Sequence, residues 1–401
     1  METYISTEYL DRMRIDLGKD FDKYIESLSE KESHGFTINL KKLSKSSIDI
    51  SYIENLFDTK VIYKNDNFAY LIYDKEELAK KDIFIGKHPL YHAGLFYIQE
   101  PSAAEVLYEV NIKENDTVLD LCASPGGKSI EALYNLDKKG ILVSNEIDKK
   151  RVKMLLSNIE RMGFDNVVVT NNSSADLKDV FSECFDIVIV DAPCSGEGMM
   201  RKNMEARKQW SKSLVSSMSK IQKKLLMDAY DMLKIGGTLV YSTCTFSKEE
   251  DEENVEFLLK LKNDLKLIKM KKNYPFNHIG EGQFYAIFEK VGEKVDICGI
   301  QINDIKSKLN VLRYDVKKEE NVRGIMIPNH AATHIDSIDF EYKVELDDLE
   351  AKKYLHGDEI TKDLNLPNTF VKITYKNLGL GVAKYVNGKL KNHYPKGLRN
   401  M

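Results

Sequence analysis

The chain has 401 residues, 42% of them hydrophobic and 30% charged, with a formal net charge of −4. Its length exceeds one ordinary domain and predicts two or three, and its composition is that of a soluble globular protein. The near-neutral charge excludes a globally basic nucleic-acid binder, so any such surface must be local. No run of 18 apolar residues marks a membrane span. The mixed charges of the first twenty residues do not read as a signal peptide. The cysteines, Cys122, Cys184, Cys194, Cys244 and Cys298, are odd in number and scattered without C-x-x-C pairs. They weigh against a disulfide framework and a zinc site, and point to a reducing cytoplasm.

Residues 1 to about 60 read as helices with apolar residues three or four apart. Lys41, Lys42 and Lys45 read there as a solvated face, with phosphate contact as the lesser alternative. Residues 85–104 are rich in aromatic side chains and carry His88 and His92. Such a run packs at an interface or lines a pocket, and two histidines without a third ligand do not make a metal site. Ser102 is placed to cap a helix over Ala103–Val110.

From Thr117 helices alternate with nearly all-apolar strands, at about 118–121, 141–146, 166–170, 185–190 and 238–242. That pattern predicts a parallel sheet covered on both faces, with ligands at the carboxyl ends of its strands. The first strand runs into Cys122-Ala123-Ser124-Pro125-Gly126-Gly127-Lys128 and then a helix. A P-loop would need glycine where Cys122 stands, and the dinucleotide fingerprint G-x-G-x-x-G is absent. A Rossmann-like site for a ligand with a ribose but no pyrophosphate remains, and S-adenosylmethionine (SAM) fits. Glu146 ends the second strand about 20 residues past the glycines, the spacing of an acid that takes ribose hydroxyls. Strand four ends in Asp191-Ala-Pro-Cys194 and strand five leads to Thr243-Cys244. Cys122 and Cys184 read as small core hydrophobes. Cys194 and Cys244, in polar turns past strand ends, read as functional.

A thiolate added to carbon 6 of cytosine makes carbon 5 nucleophilic toward a methyl sulfonium, which is covalent catalysis by an activated cysteine. An acid must stabilise the ring nitrogen, and Asp191 is placed for that. A second cysteine can help remove the carbon 5 proton. The residues alone leave open which cysteine attacks.

The stretches Gly94–Ala104, Asp120–Lys128, Asp191–Met199, Tyr241–Ser247, His278–Phe284 and Lys391–Arg399 together resemble the NOL1/NOP2/Sun family of RNA cytosine-C5 methyltransferases, most nearly its bacterial ribosomal RNA members. The resemblance implies an α/β fold: a Rossmann-like SAM-dependent methyltransferase sheet over 111–294, after a helical, RNA-contacting N-terminal region over 1–110. A PUA-like α+β or β-barrel RNA-binding region over 295–401 follows. It implies Cys244 as nucleophile and Cys194 as the group assisting product release. SAM is expected against residues 122–128, Glu146 and Asp191, with Asp176 or Asn172 near the adenine. The implied partner is RNA, from the small ribosomal subunit, met by a cytoplasmic monomer without metal or membrane. A transfer RNA methyltransferase of the same family and an inactive assembly factor are the alternatives.

Past residue 245, Ser247 and Glu250 match a capping box at the head of a helix, and the acidic run there reads as solvated. Residues 351–401 hold ten Lys and Arg against three acids, a local excess of about +7 suited to phosphate. Tyr385 and Tyr394, set among these lysines, read as base-stacking rings.

Overall fold

The computed structural model describes residues 5–136, 139–293, 302–322 and 324–400. Cys298 lies outside them. The chain forms two compact units. The first comprises Met1–His34, Gln99–Val152 and Val168–Leu312, and the second Gly35–Ile98, Lys153–Val167 and Arg313–Met401.

The central sheet has eight strands: β1 (Thr117–Asp120), β2 (Ile141–Asn145), β3 (Val167–Thr170), β4 (Phe185–Asp191), β5 (Leu233–Thr243), β6 (Leu265–Asn273), β7 (Gln283–Lys290) and β8 (Val311–Arg313). Their order is β6-β7-β5-β4-β1-β2-β3-β8. β1 runs parallel to β2 and β4, and β4 to β5, while β7 is antiparallel to both of its neighbours. The apolar runs expected as strands are buried for the reason given by their sequence: Val118, Leu119, Leu142, Val143, Val188, Ile189 and Val240 have no polar face to offer water. The order reverses at β1, whose neighbours lead away in opposite directions, and this is the crevice where open α/β sheets bind ligands.

Helix α1 (Gly127–Asn135) follows β1, the short α2 (Ser174–Lys178) follows β3, α3 (Lys212–Met232) leads into β5, and α4 (Glu252–Leu261) leads toward β6. Ser211 caps α3 by accepting from the Leu214 amide at 3.1 Å. The residues preceding His34 are helical as expected, over Thr7–Leu17 and Phe21–Ser27. Tyr9, Met13 and Tyr24 pack there with Met200, Trp210 and Phe246.

The helical expectation fails from His34 onward. His34–Asn39, Thr59–Lys64, Phe68–Tyr73 and Phe96–Gln99 form a four-stranded sheet. The runs Phe36-Thr-Ile and Phe68-Ala-Tyr-Leu-Ile-Tyr carry the β-branched and aromatic residues that suit a pleated, half-buried surface. In the same unit, residues 343–392 form a five-stranded sheet in which Lys343–Leu346 runs parallel to Thr369–Tyr375 and the other pairs are antiparallel. The expected strands at 369–375 and 380–386 are present. Phe36, Phe57, Leu71 and Phe96 share one apolar core with Val371, Leu380 and Tyr385.

Several local expectations are corrected. Glu100, not Ser102, caps the helix Pro101–Glu105, accepting from the Ala103 amide at 2.9 Å. The helix expected to start at Ser247 begins at Glu252, and the capping box forms instead at Ser173 and Asp176. Cys184 is buried in the sheet core, as expected. Tyr385 and Tyr394 are each 3% exposed, their hydroxyls on Leu364 O and His92 Nδ1, so neither ring is free to stack a base. Lys42 is buried rather than solvated. Among the described residues no helix is long and apolar enough to cross a membrane, and no three His, Cys, Asp or Glu gather as metal ligands.

Candidate active site

The corner after β1 is built as a cradle. Gly126 caps α1 with φ at +118°, a conformation that side-chain-bearing residues rarely adopt. A Cβ on Gly127 would stand 3.0 Å from the Gln99 side chain. Ser129 Oγ donates to Asp120 Oδ2 at 2.7 Å and pairs with Ser144 Oγ at 2.6 Å, tying α1 to the ends of β1 and β2. Burial raises the Asp120 pKa to about 7, and among the described residues its Oδ1 has no hydrogen-bond partner. Burial and the neighbouring carboxylates push the Cys122 thiol up, which keeps it protonated. Ser124 Oγ donates to Arg151 O at 2.9 Å while Arg151 Nη2 donates back to Ser124 O at 2.6 Å.

Asn145 holds the three strand ends of this corner together. Its Nδ2 donates to Leu121 O and Asn172 O, both at 3.1 Å. Its Oδ1 accepts from Thr170 Oγ1 at 2.9 Å and from the Asn172 amide at 3.1 Å. Glu146 is buried beside it, one carboxylate oxygen taking the Asp148 amide at 2.9 Å and the other 3.6 Å from Arg151. Asp176 is not gathered here. Its exposed carboxylate accepts from the Ser173 amide and hydroxyl at the head of α2. Asn172 does lie at the corner, through its backbone.

The mouth of the sheet between β4 and β5 brings the remaining candidates together. Asp191 stands opposite Ser242 in the parallel register. Its Oδ1 accepts from Ser242 Oγ at 2.7 Å and from Gln283 Nε2 at 3.4 Å. Its Oδ2 lies 2.8 Å from Lys128 Nζ, whose side chain is 4% exposed against 38% for Asp191. Burial works against the Lys128 ammonium, but Asp191 beside it holds its pKa above the ordinary value. Cys194 Sγ and Cys244 Sγ are 3.1 Å apart. The hydrogen bond to Cys244, together with burial, raises the Cys194 pKa well above the ordinary thiol value. Either thiol can be the donor in the contact between the two sulfurs.

Buried polar groups hold the two cysteine loops in register. Ser195 Oγ pairs with Thr245 Oγ1 at 2.7 Å, and the Gly198 amide donates to Cys244 O at 2.9 Å. Glu250 Oε2 takes the Ser195 amide at 3.0 Å and Gln222 Nε2 at 2.8 Å, and Gln222 also reaches Pro193 O at 2.9 Å. Thr243 donates to Asp251, which is paired with Lys272 at 2.8 Å. Glu250, expected in a solvated acidic run, is 0% exposed, and burial raises its pKa. Sequence reasoning missed Asn145, Ser242, Glu250 and Gln283 as members of the site. The available signal was a polar side chain at the end of an apolar strand, or inside a motif already singled out.

The corner fits a nucleoside cofactor: a glycine turn, a buried carboxylate beside the second strand and an unsatisfied buried oxygen on Asp120. The mouth offers a nucleophile, a second thiol against it, and a carboxylate–ammonium pair.

Three family models match the chain. The N-terminal domain of 16S rRNA methyltransferase RsmF covers residues 5–101, 16S rRNA methyltransferase RsmB/F covers 107–294, and the methyltransferase RsmF PUA domain covers 341–400. The ribosomal RNA small subunit methyltransferase F of Vibrio cholerae serotype O1 (strain M66-2) is 29% identical over 384 residues, covering 78% of this chain and 81% of its own. The protein of that name from Photobacterium profundum is 24% identical, covering 99% and 98%. The crystal structure of NSun6 from Pyrococcus horikoshii with SFG superposes with a TM-score of 0.60 at 20% identity, covering 73% of this chain and 100% of that one. A methyltransferase homologue from the same organism gives 0.57 at 23% identity, covering 72% and 100%. At these identities the structural likeness establishes the fold.

Proposed function

The chain belongs to the RsmB/F family of 16S rRNA methyltransferases, and from that premise we propose that it methylates carbon 5 of a cytosine in small-subunit ribosomal RNA through a covalent adduct on Cys244. SAM, when bound, supplies the electrophilic methyl group. The Gly126–Lys128 turn, the Glu146 carboxylate and the backbone near Asn172 would hold it, Glu146 on the ribose and Asn172 near the adenine. The capping role of Asp176 favours Asn172 of the two residues considered for that contact.

Cys244 loses its proton and adds to carbon 6, forming the sulfur–carbon bond. Asp191, with Lys128 on its other oxygen, would carry the proton that Cys244 gives up to the ring nitrogen, neutralising the charge that reaches it. Carbon 5 then carries the electron pair that takes the methyl group. The carbon 5 proton passes to solvent with the assistance of Cys194, and its electron pair reforms the double bond as the sulfur–carbon bond breaks and Cys244 leaves as thiolate. The PUA-like C-terminal region, acting with the N-terminal region, would bind RNA in the cytoplasm, with one chain sufficing.

The observation that carries this reading is the pair of sulfurs at the mouth, 3.1 Å apart, with Asp191 anchored beside them by Ser242 and Lys128. Its test is covalent trapping. Wild type, Cys194→Ala and Cys244→Ala would each be incubated with SAM and total bacterial RNA, then run on denaturing gels. The expected result is an RNA adduct that accumulates with Cys194→Ala and is absent with Cys244→Ala. The reverse pattern would exchange the two roles. Absence of both adduct and 5-methylcytosine would overturn the reading.

A further inference from the structure

The two sulfurs at the mouth are placed for a second chemistry that methyl transfer does not use. Cys194 Sγ and Cys244 Sγ are 3.1 Å apart, and both are free thiols. Each is partly exposed, and Pro193 beside them is exposed, so a small solute entering the mouth can reach them. A disulfide needs its sulfurs about 2.05 Å apart and its Cα atoms about 4.4–6.8 Å apart. The sulfurs therefore have about 1 Å to close. The strands that deliver them are paired as far as Asp191 and Ser242, and paired strands stand about 4.8 Å apart, inside the Cα window.

The contact is held from both sides. Before the cysteines, Ser242 Oγ donates to Asp191 Oδ1 at 2.7 Å. Immediately after them, the buried hydroxyls of Ser195 and Thr245 pair at 2.7 Å. The Gly198 amide holds Cys244 O at 2.9 Å, and a Cβ on Gly198 would stand 3.1 Å from that same oxygen. Neither loop can carry its sulfur far from the other without breaking these bonds.

The other thiols are less suited to an oxidant. Cys184 is buried in the sheet core. Burial and nearby carboxylates keep Cys122 protonated, and the thiolate is the form that oxidants attack. Cys244 is the thiol that the proposed mechanism ionises, and Cys194 stands against it as a resolving thiol would.

We infer that Cys194 and Cys244 form a reversible oxidation site, which a hydroperoxide converts into a disulfide that silences the enzyme. The Cys244 thiolate attacks one peroxide oxygen. The oxygen–oxygen bond breaks, and the other oxygen leaves and takes a proton, as water from hydrogen peroxide or as an alcohol from an organic hydroperoxide. Cys244 is now a sulfenic acid. The Cys194 sulfur attacks the Cys244 sulfur, the sulfur–sulfur bond forms, and the hydroxyl leaves as water with the Cys194 proton. Two electrons have passed from the thiol pair to the peroxide. A dithiol returns them by exchange, as befits the transient, redox-sensing disulfides of reducing compartments. The silencing rests on the role proposed above for Cys244, whereas the bond itself does not.

The test exposes the full chain, reduced and freed of reductant, to a graded series of hydrogen peroxide without SAM or RNA. Remaining thiols are capped with N-ethylmaleimide in denaturant, and the digest is mapped by mass spectrometry. The expected product is a peptide joining Cys194 to Cys244 that disappears on treatment with dithiothreitol. RNA adduct and 5-methylcytosine formation should fall in proportion to the linked fraction and return with dithiothreitol. In Cys194→Ala the resolving thiol is gone, so Cys244 should proceed to sulfinic acid and adduct formation should not return. Oxidised wild type without the linked peptide would overturn the site and leave the proposed function standing. A linked peptide that dithiothreitol does not undo would overturn the reversibility. Complete linkage with undiminished 5-methylcytosine formation would refute the role given to Cys244 and leave the oxidation site standing.

Discussion

Glu250 is the residue by which the arrangement of the cysteine loops is most directly tested. It is fully buried, and its Oε2 alone satisfies the Ser195 amide and one Gln222 N–H. Glu250→Ala removes both acceptors. A buried donor left unsatisfied costs about 1–3 kcal/mol. Two of them, less what is recovered because Glu250 Oε1 has no hydrogen-bond partner among the described residues, give a destabilisation of about 3 kcal/mol. At about 2–4 °C per kcal/mol for a unit of this size, Tm should fall by roughly 6–12 °C. Glu250→Gln keeps one acceptor and should lose less than half of that. Glu253→Ala, three residues on and exposed, should stay within about 0.5 kcal/mol. The same ladder should appear in adduct formation on the Cys194→Ala background, since Ser195 adjoins Cys194 and bridges to Thr245 beside Cys244. Melting and trapping of Glu250→Ala indistinguishable from those of Glu253→Ala would refute the claim that this carboxylate holds the loops.

Lys128→Met should leave the protein folded but cut the rate of adduct formation about a hundredfold, the scale of losing one preorganised charge at a reacting centre, as read by single-turnover trapping. Gly379→Ala should destabilise the second unit by about 3 kcal/mol or more in urea unfolding, because its Cβ meets the Thr333 carbonyl oxygen and not a flexible side chain. Acid should weaken the same unit. Burial lowers the His92 pKa to about 4, below the ordinary 6.5. The unfolded chain therefore takes up the proton first as pH falls, so stability is intact above about 6.5 and declines toward 4. The loss by pH 5 is about 2 kcal/mol from this group, measured as a shift of the urea midpoint, and His92→Gln should flatten the dependence.

The sheet and its mouth were legible because the evidence for them is local. Each strand is an apolar run, and each functional side chain follows the end of its strand within a few residues, so Asp191, Cys194 and Cys244 could be brought together without coordinates. The supports were not legible, because their partners are distant in sequence: Glu250 meets a residue 55 positions away and Gln283 one 92 away. Charge misled twice. An acidic run predicted a solvated helix head, yet it contains the two buried carboxylates behind the cysteines. Tyrosines among lysines predicted a stacking face, but alternation along Leu378–Val386 turns Tyr385 inward with Ala383. The S-x-x-E pattern at Ser247 failed where Ser173 and Asp176 succeeded, because Ser247 and Glu250 lie before the helix that starts at Glu252.

Asp191 and Ser242 face one another across β4 and β5, and each strand continues from that point into its own cysteine. Neighbouring strands are about 4.8 Å apart, whereas a slip of one residue displaces a strand by about 3.3 Å and turns its side chains to the opposite face. The pairing of β4 with β5 is therefore a ruler for the chemistry. A single inserted residue in either strand end would leave every catalytic side chain present in the sequence and still dismantle the reaction. Changes in the helices and loops around the sheet leave that phase intact, whereas a shift in either of these two strand ends does not.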